Sequence, residues 1–141
     1  MKIRKAKESD YEELMKLYNI FVGEDRYSRH DNDSFKKVLD LRDSYILVAE
    51  QEGEAIGFVT FSVRTVVRYP KPIAKLDELF VVEEFRKHGV GGMLIEEVEN
   101  AAKERQCYRV YIGSADRFET AHTFYVGQGY TKYGYHFYKN L

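Results

Sequence analysis

An α/β fold with a mixed sheet is what this sequence predicts, and three observations predict it. Strand-like and helix-like stretches interleave in the order β-α-(α)-β-β-β-α-β-α-β. Helical stretches separate the later strands, which calls for parallel pairing across a helix, while a tight turn joins two earlier ones and implies an antiparallel hairpin. The length, 141 residues, suits one core, so residues 1–141 read as a single domain.

The elements follow in order. "KIRKA" alternates and reads as a first strand. Ser9, with Glu12 three residues on, has the spacing of a capping box. Leu14, Leu17, Tyr18 and Phe21 then recur at helical spacing, and Gly23 stops that helix. "EDRYSRHDND" is polar and loop-like; Asp33 or Ser34 is placed to cap a short second helix through Val38 and Leu41. "YILVAE" and "AIGFVTFSV" are β-rich runs joined by "QEGE", so they predict a hairpin. "RYPKP" breaks the chain before a further strand, "AKLDELFVV". Val90, Met93, Leu94, Val98, Ala101 and Ala102 share one face of the next helix, with Lys103 and Arg105 near its C-terminal end, where cations suit the helix dipole. "CYRVYIG" is a strand, "ETAHTFYVGQG" a short helix closed by Gly127 or Gly129, and the tyrosine-rich "YTKYGYHFYKNL" a final strand.

Composition narrows the function. Lys plus Arg is 22 against 23 acidic residues, a balance that argues against a general nucleic-acid binder. No apolar run approaches the ~18 residues of a membrane helix. The N-terminus lacks the apolar stretch of a signal peptide, so a soluble cytoplasmic protein is expected. The single cysteine, Cys107, excludes an internal disulfide and a multi-cysteine metal site. His30 and His136 have no metal-ligand spacing, and no metal is expected.

The stretch "FRKHGVGGM", Phe85 to Met93, carries the chemistry. It places a basic residue and then Gly89, Gly91 and Gly92 at the start of a helix. A helix N-terminus offers unpaired N–H groups and a positive dipole end, and glycines let a phosphate approach closely. A P-loop would need Lys and Ser/Thr after its last glycine, but Gly92 and Met93 follow Gly91. A dinucleotide site would need a third glycine that is absent here. What remains is [Q/R]-x-x-G-x-[G/A] after a strand, satisfied by Arg86-Lys87-His88-Gly89-Val90-Gly91. Taken by itself, so short a motif is as readily an ordinary turn and helix start.

It has company. "LDELFVVEEFRKHGVG", followed further along by "AHTFYVGQGY", resembles the GNAT acetyltransferases over nearly the whole chain. The resemblance implies that family's fold, a mixed central sheet of about six to seven strands flanked by about four helices. It also implies acetyl-CoA as acetyl donor, with its pyrophosphate on Arg86, Lys87, His88, Gly89, Val90, Gly91 and Gly92. Leu79, Phe80 and Val81 would offer backbone groups to the pantetheine arm as an added strand does. Phe118 and Ala121, at the start of the next helix, complete the expected cofactor contacts. The sequence departs from the family in two places: Phe118 stands where many members have Asn, and Lys87 where many have Gly.

The implied reaction is acetyl transfer to an amine, by direct attack in a ternary complex. An ammonium with pKa near ~10 must lose a proton, and a thiolate whose thiol has pKa ~8.5 must leave. Tyr125, in the family's Phe-Tyr element, is the expected general acid, although one tyrosine among 12 more often simply packs. Asp77 is the expected base, through a water, with Glu78 on the opposite strand face as the alternative. His122 shares a helical face with Tyr125 and is read as a packing residue. Cys107 has no His or Asp beside it in sequence and is not expected to carry an acyl group. Gly23 to Asp33, with Glu24, Asp25, Asp31 and Asp33 diluted by Arg26 and Arg29, falls where the family's variable loop shapes the acceptor pocket. The C-terminal end resembles members that acetylate small amines, including aminoalkylphosphonate and aminoglycoside enzymes. A small-molecule primary amine is therefore the expected acceptor; a protein or peptide amine and a non-catalytic acyl-CoA sensor are the alternatives. In the last stretch Tyr133, Tyr135 and Phe137 would share one strand face, with Tyr130, His136 and Tyr138 on the other. Two apolar faces imply a sheet interior or the interface of a homodimer.

Overall fold

The computed structural model describes residues 1–23 and 31–141. Five strands form one sheet in the order β1 (Lys2–Lys5), β2 (Ser44–Gln51), β3 (Glu54–Arg64), β4 (Ile73–Val81) and β5 (Val110–Ile112). The first four pair antiparallel, and β5 joins β4 in parallel after the crossover helix α3 (Val90–Glu104). The remaining helices are α1 (Tyr11–Val22), α2 (Asn32–Asp40) and α4 (Glu119–Gly127). The mixed sheet and four helices match the expectation; the strand count does not. Among the described residues the sheet has five strands rather than six or seven, and the expected final strand is absent, since residues 131–141 are exposed and carry no helix or strand. Alternation makes a segment able to be a strand, but only a neighbouring edge completes its hydrogen bonds. Here the tail touches β5 through Tyr133 against Tyr111, ring centroids 6.2 Å apart, without entering the ladder.

Helices cover both faces of the sheet. On one, Leu14 and Leu17 of α1 and Phe35 of α2 pack on Val48, Phe58 and Phe80. On the other, Val90, Leu94, Ile95 and Val98 of α3 pack on Leu47, Ala49, Val59, Phe61 and Leu76, and Phe124 and Tyr125 of α4 add to that layer.

Local chemistry explains the element ends. Gly23 takes φ +79°, which favours glycine, and its N–H bonds the Asn19 carbonyl at 2.9 Å, closing α1. The predicted capping box at Ser9 does not form. Glu8–Asp10 make a short 3₁₀ turn instead, and the Asp10 carboxylate accepts from the Lys7 N–H at 2.6 Å. Arg4 on β1 donates to both Asp10 oxygens, at 2.7 and 2.8 Å, and through Nε to Glu50 at 2.6 Å. The Arg4 hydrogen bond holds the Asp10 carboxyl below the usual carboxylate range against its desolvation. A residue of the first strand thus decides where α1 begins. In α2 the cap is Asp31, whose side chain accepts from the Ser34 N–H at 2.6 Å, rather than Asp33 or Ser34; the helix ends at Asp40, with Leu41 extended beyond it. The β2–β3 hairpin forms as predicted. Glu52 and Gly53 both sit at positive φ, +53° and +89°, as a two-residue hairpin turn requires.

Candidate active site

The site begins with an irregularity in β4. Thr60 pairs with Glu78 and Phe61 with Leu76, so Asp77 is an extra residue, a β-bulge. The bulge reverses the strand's alternation. Before it, Ala74 and Leu76 face α3; after it, Phe80 faces α1 while Leu79 and Val81 face α3. The expectation that Asp77 and Glu78 point to opposite faces assumed an unbroken period of two, and the bulge removes that basis.

At the same point β4 and β5 part. Their pairing ends at Leu76 and Ile112, with the Gly113 N–H to Leu76 carbonyl contact stretched to 3.4 Å. From Asp77 to Val81 one edge of β4 has no strand beside it among the described residues. Val82 N–H donates to the Ile56 carbonyl at 3.0 Å while Gly57 stands opposite Val81. In antiparallel geometry this turns the peptide groups of Val81, and by alternation Leu79, to the open edge, and those of Phe80 toward β3. Of the three residues expected to pair with pantetheine, Leu79 and Val81 present their backbone and Phe80 contributes a buried ring.

The glycine loop lies just beyond. Gly89, at φ +83°, leads into α3, and its carbonyl accepts the first helical bond, from the Met93 N–H at 3.0 Å. The N–H groups of Val90, Gly91 and Gly92 therefore lie in the turn that has no intrahelical partner. A Cβ at Gly91 would come 3.1 Å from Phe124, so this glycine seats α4 against the first turn of α3. Lys87 holds the left-handed region at φ +63°, which accounts physically for a glycine at that position. Arg86 does not extend along the loop: its Nε donates to the Val81 carbonyl at 2.9 Å, and its guanidinium stands 5.7 Å from the Phe80 ring centroid. It braces the end of β4. The exposed His88 keeps Nδ1 2.8 Å from the Arg86 carbonyl. Free N–H groups, an open strand edge and a glycine entry fit a pyrophosphate joined to an extended amide-bearing arm.

Tyr125 is half-buried on α4, in the layer that holds Leu79, Val81 and Phe85, and burial pushes its hydroxyl above the usual tyrosine value. Ala121 and His122 are half-buried on the same helix. Phe118 occupies the position before α4, exposed, with no side-chain cap.

On the opposite face, Glu78 accepts hydrogen bonds from Tyr18 and Thr60, each at 2.6 Å to one oxygen. Asp77 is exposed at the bulge, yet partial desolvation pushes its carboxyl up, with the Lys75 charge opposing. Lys75 is itself half-buried, and desolvation pushes its ammonium down. Sequence reasoning missed Tyr18, Thr60 and Lys75. The available signal was the run of polar residues at alternate positions, Thr60, Ser62 and Arg64, opposite apolar Phe61 and Val63. The acceptor-loop residues Glu24, Asp25, Arg26 and Arg29 lie outside the described residues, while Asp31 and Asp33 belong to the start of α2. Cys107 is far from this constellation. It lines a cavity of about 300 Å³ between the C-terminal end of α3, β5 and Tyr130, and burial pushes its thiol up, away from the nucleophilic thiolate. Among the described residues no group of three or more His, Cys, Asp or Glu is placed to hold a metal ion, and no helix is long and apolar enough to cross a membrane.

The fold has known counterparts. The family model described as Acetyltransferase (GNAT) family matches residues 11–130. An uncharacterised N-acetyltransferase of Archaeoglobus fulgidus is 32% identical over 111 residues, covering 74% of this chain and 76% of its own. The uncharacterised N-acetyltransferase YhfO of Bacillus subtilis is 31% identical over 140 residues, covering 92% and 89%. Among solved structures, the aminoglycoside acetyltransferase meta-AAC0020 from an uncultured soil metagenomic sample, in complex with trehalose, superposes with TM-score 0.89 at 24% identity, over 99% of this chain and 95% of that one. The aminoglycoside N-acetyltransferase AAC(6')-Iy in complex with CoA gives TM-score 0.81 at 20% identity, over 99% of both. At such identities the structural likeness is one of fold. The sequence relatives make this protein an N-acetyltransferase, a transferase of the EC 2.3.1 class. It belongs to the GNAT family of acetyltransferases, a family that uses acetyl-CoA.

Proposed function

We propose that residues 1–141 act as one domain that transfers the acetyl group of acetyl-CoA to a primary amine of a small molecule, by direct attack in a ternary complex. One observation carries the reading: β4 and β5 part at the Asp77 bulge, beside a helix N-terminus led by Gly89 and in the layer that holds Tyr125. The thioester supplies the activated acetyl carbon. The chain's own residues then bind, orient and move protons. The N–H groups of Val90, Gly91 and Gly92 take the pyrophosphate, with charge from Lys87. The peptide groups of Leu79 and Val81 align the pantetheine arm. Asp77 receives, through a water, the proton that the acceptor ammonium loses, and the amine forms its bond to the acetyl carbon as the carbon–sulfur bond breaks. Tyr125 donates its proton to the departing sulfur and takes one back from the nitrogen that now bears the acetyl group, leaving a neutral amide, the CoA thiol and one proton passed to Asp77. Glu78 is the poorer candidate for the base, because one of its oxygens already accepts two hydroxyl protons.

Thiol release from acetyl-CoA, measured against a panel of amines, tests the reading. Tyr125→Phe should lower turnover on the order of a hundredfold, the lower end of what a positioned acid contributes. Full turnover in that variant, with chemistry rate-limiting, would remove Tyr125 from its role. Release that no amine stimulates would favour an acyl-CoA sensor. We propose further that the working form is a cytoplasmic homodimer, supported by the exposed aromatic tail of residues 131–141.

A further inference from the structure

We infer that the acceptor is a compact amine that also carries an anionic group, a carboxylate or another oxyanion, held by Lys75 and Arg64 while the amine meets Asp77. The inference rests on the transfer reading above and names the acceptor class for the same site.

The bulge assembles the constellation. Lys75, on the face opposite Ala74 and Leu76, shares its side of the sheet with Glu78, which lies beyond the reversal, and Asp77 falls between them. Thr60, Ser62 and Arg64 line the same side of β3, one strand over. The face therefore presents cations and carboxylates close together. These opposite charges feel one another without meeting. Each of Lys75 and Asp77 perturbs the other, and Arg64 perturbs both. Yet the described residues hold no ion pair within 4 Å and no hydrogen bond for the Lys75 ammonium, which is half-buried.

The position of that ammonium is informative. Lys75 pairs with Tyr111 in the ladder, and its Nζ would stand 2.8 Å from a Cβ built on Gly113. It thus reaches across the point where β4 and β5 part, beside the expected place of acetyl transfer. The His136 ring, on the tail, stands 3.6 Å from the same point. A half-buried cation that only feels the Asp77 charge, without an ion pair in contact, costs free energy that an incoming anion would offset. Asp77 lies two positions beyond Lys75, roughly 6.5 Å along the backbone of the strand, a span that suits an amine and an oxyanion on one short carbon chain. A polycation entering the same face would set its second charge against Lys75 and Arg64.

Matched acceptors test this: β-alanine, propylamine and 1,3-diaminopropane, compared by kcat/KM for thiol release. The wild type should favour β-alanine over propylamine by about tenfold, one partly screened ion pair's worth of discrimination, and disfavour the diamine. Lys75→Met should bring the β-alanine to propylamine ratio to about unity. Lys75→Glu should favour the diamine. Equal or faster turnover of propylamine by the wild type overturns the anion site and leaves the transfer reading standing. So does a Lys75→Met variant that lowers all three acceptors by one factor. Calorimetric titration of β-alanine into the CoA-loaded protein separates the two readings. Binding that depends on Lys75, without turnover of any amine, keeps the anion site and removes the transfer reading. Absence of both overturns the inference.

Discussion

In its proposed role as base Asp77 would set the pH dependence, because desolvation raises its carboxyl above the usual value while the Lys75 charge works against the shift. A base must be ionised, so the acid limb of kcat/KM should lie above the ~3.9 of a free aspartate. Tyr125 is pushed in the same direction: burial keeps its hydroxyl protonated past ~10, so loss of the acid should not cap the rate anywhere below that pH. Stability carries the opposite sign for Asp77. A carboxyl whose folded value is raised favours the protonated form in the fold, so its ionisation weakens the fold as pH rises above the unfolded value. Asp77→Asn should therefore melt no lower than wild type at pH 7, with any advantage shrinking as the pH falls through the folded value. Melts of both proteins between neutral and mildly acidic pH check this, and an advantage that grows on acidification contradicts it. Lys87 is the second residue whose conformation makes a prediction. Its φ of +63° is strained for a side chain, so Lys87→Gly should raise stability by about 0.5–1 kcal/mol, read in thermal denaturation, while removing a cation beside the glycine loop.

At the scale of elements, much of the chain is legible because the cues are local. Helical spacing marks α1 and α3, the Gln51–Glu54 turn marks the hairpin, and glycine marks the end of α1. Element starts were misread wherever a distant partner won. Ser9 has the capping spacing, but Arg4 takes hold of Asp10 across the strand–helix junction, with hydrogen bonds at 2.7 and 2.8 Å that no neighbour in sequence announces. In α2, four consecutive residues able to cap compete, and Asp31 prevails. The pairing of β3 with β4 carries an element-scale prediction. Gly57 lies opposite Val81, and a Cβ there would come 2.7 Å from the Phe80 carbonyl oxygen. Backbone gives way less readily than a side chain, so Gly57→Ala should cost about 1–3 kcal/mol as an overpacked contact. It should also weaken acetyl-CoA binding, since the Val81 peptide lies on the displaced segment. Calorimetry of both proteins with acetyl-CoA measures this, and unchanged stability together with unchanged affinity would contradict the assignment of that edge.

For the whole molecule, the C-terminal tail is the open matter. Tyr133, Tyr135, Phe137 and Tyr138 are 72, 80, 93 and 93% exposed, an apolar surface that a monomer rarely leaves in water. Among the described residues the β5 edge away from β4 has no strand beside it, so one chain offers both an unpaired edge and a segment with strand-like alternation. Two copies could satisfy both needs reciprocally about a two-fold axis. Removing residues 131–141 should then convert a dimer into a monomer, as read by light scattering behind size-exclusion chromatography; a wild-type chain that elutes as a monomer at micromolar concentration would contradict the proposal. By itself, the sequence determined the order of elements from β1 to α4, the glycine entry to α3 and the paired motifs around Gly89 and Tyr125, because helical period, turn chemistry and short motifs are written in neighbouring residues. Tertiary structure decided the rest. The bulge at Asp77, the reversal that puts Lys75 and Glu78 on one face, the parting of β4 from β5 and the unpaired tail all depend on register between strands remote in sequence. Slipping one residue in that register exchanges the faces of a strand, and no local pattern records it.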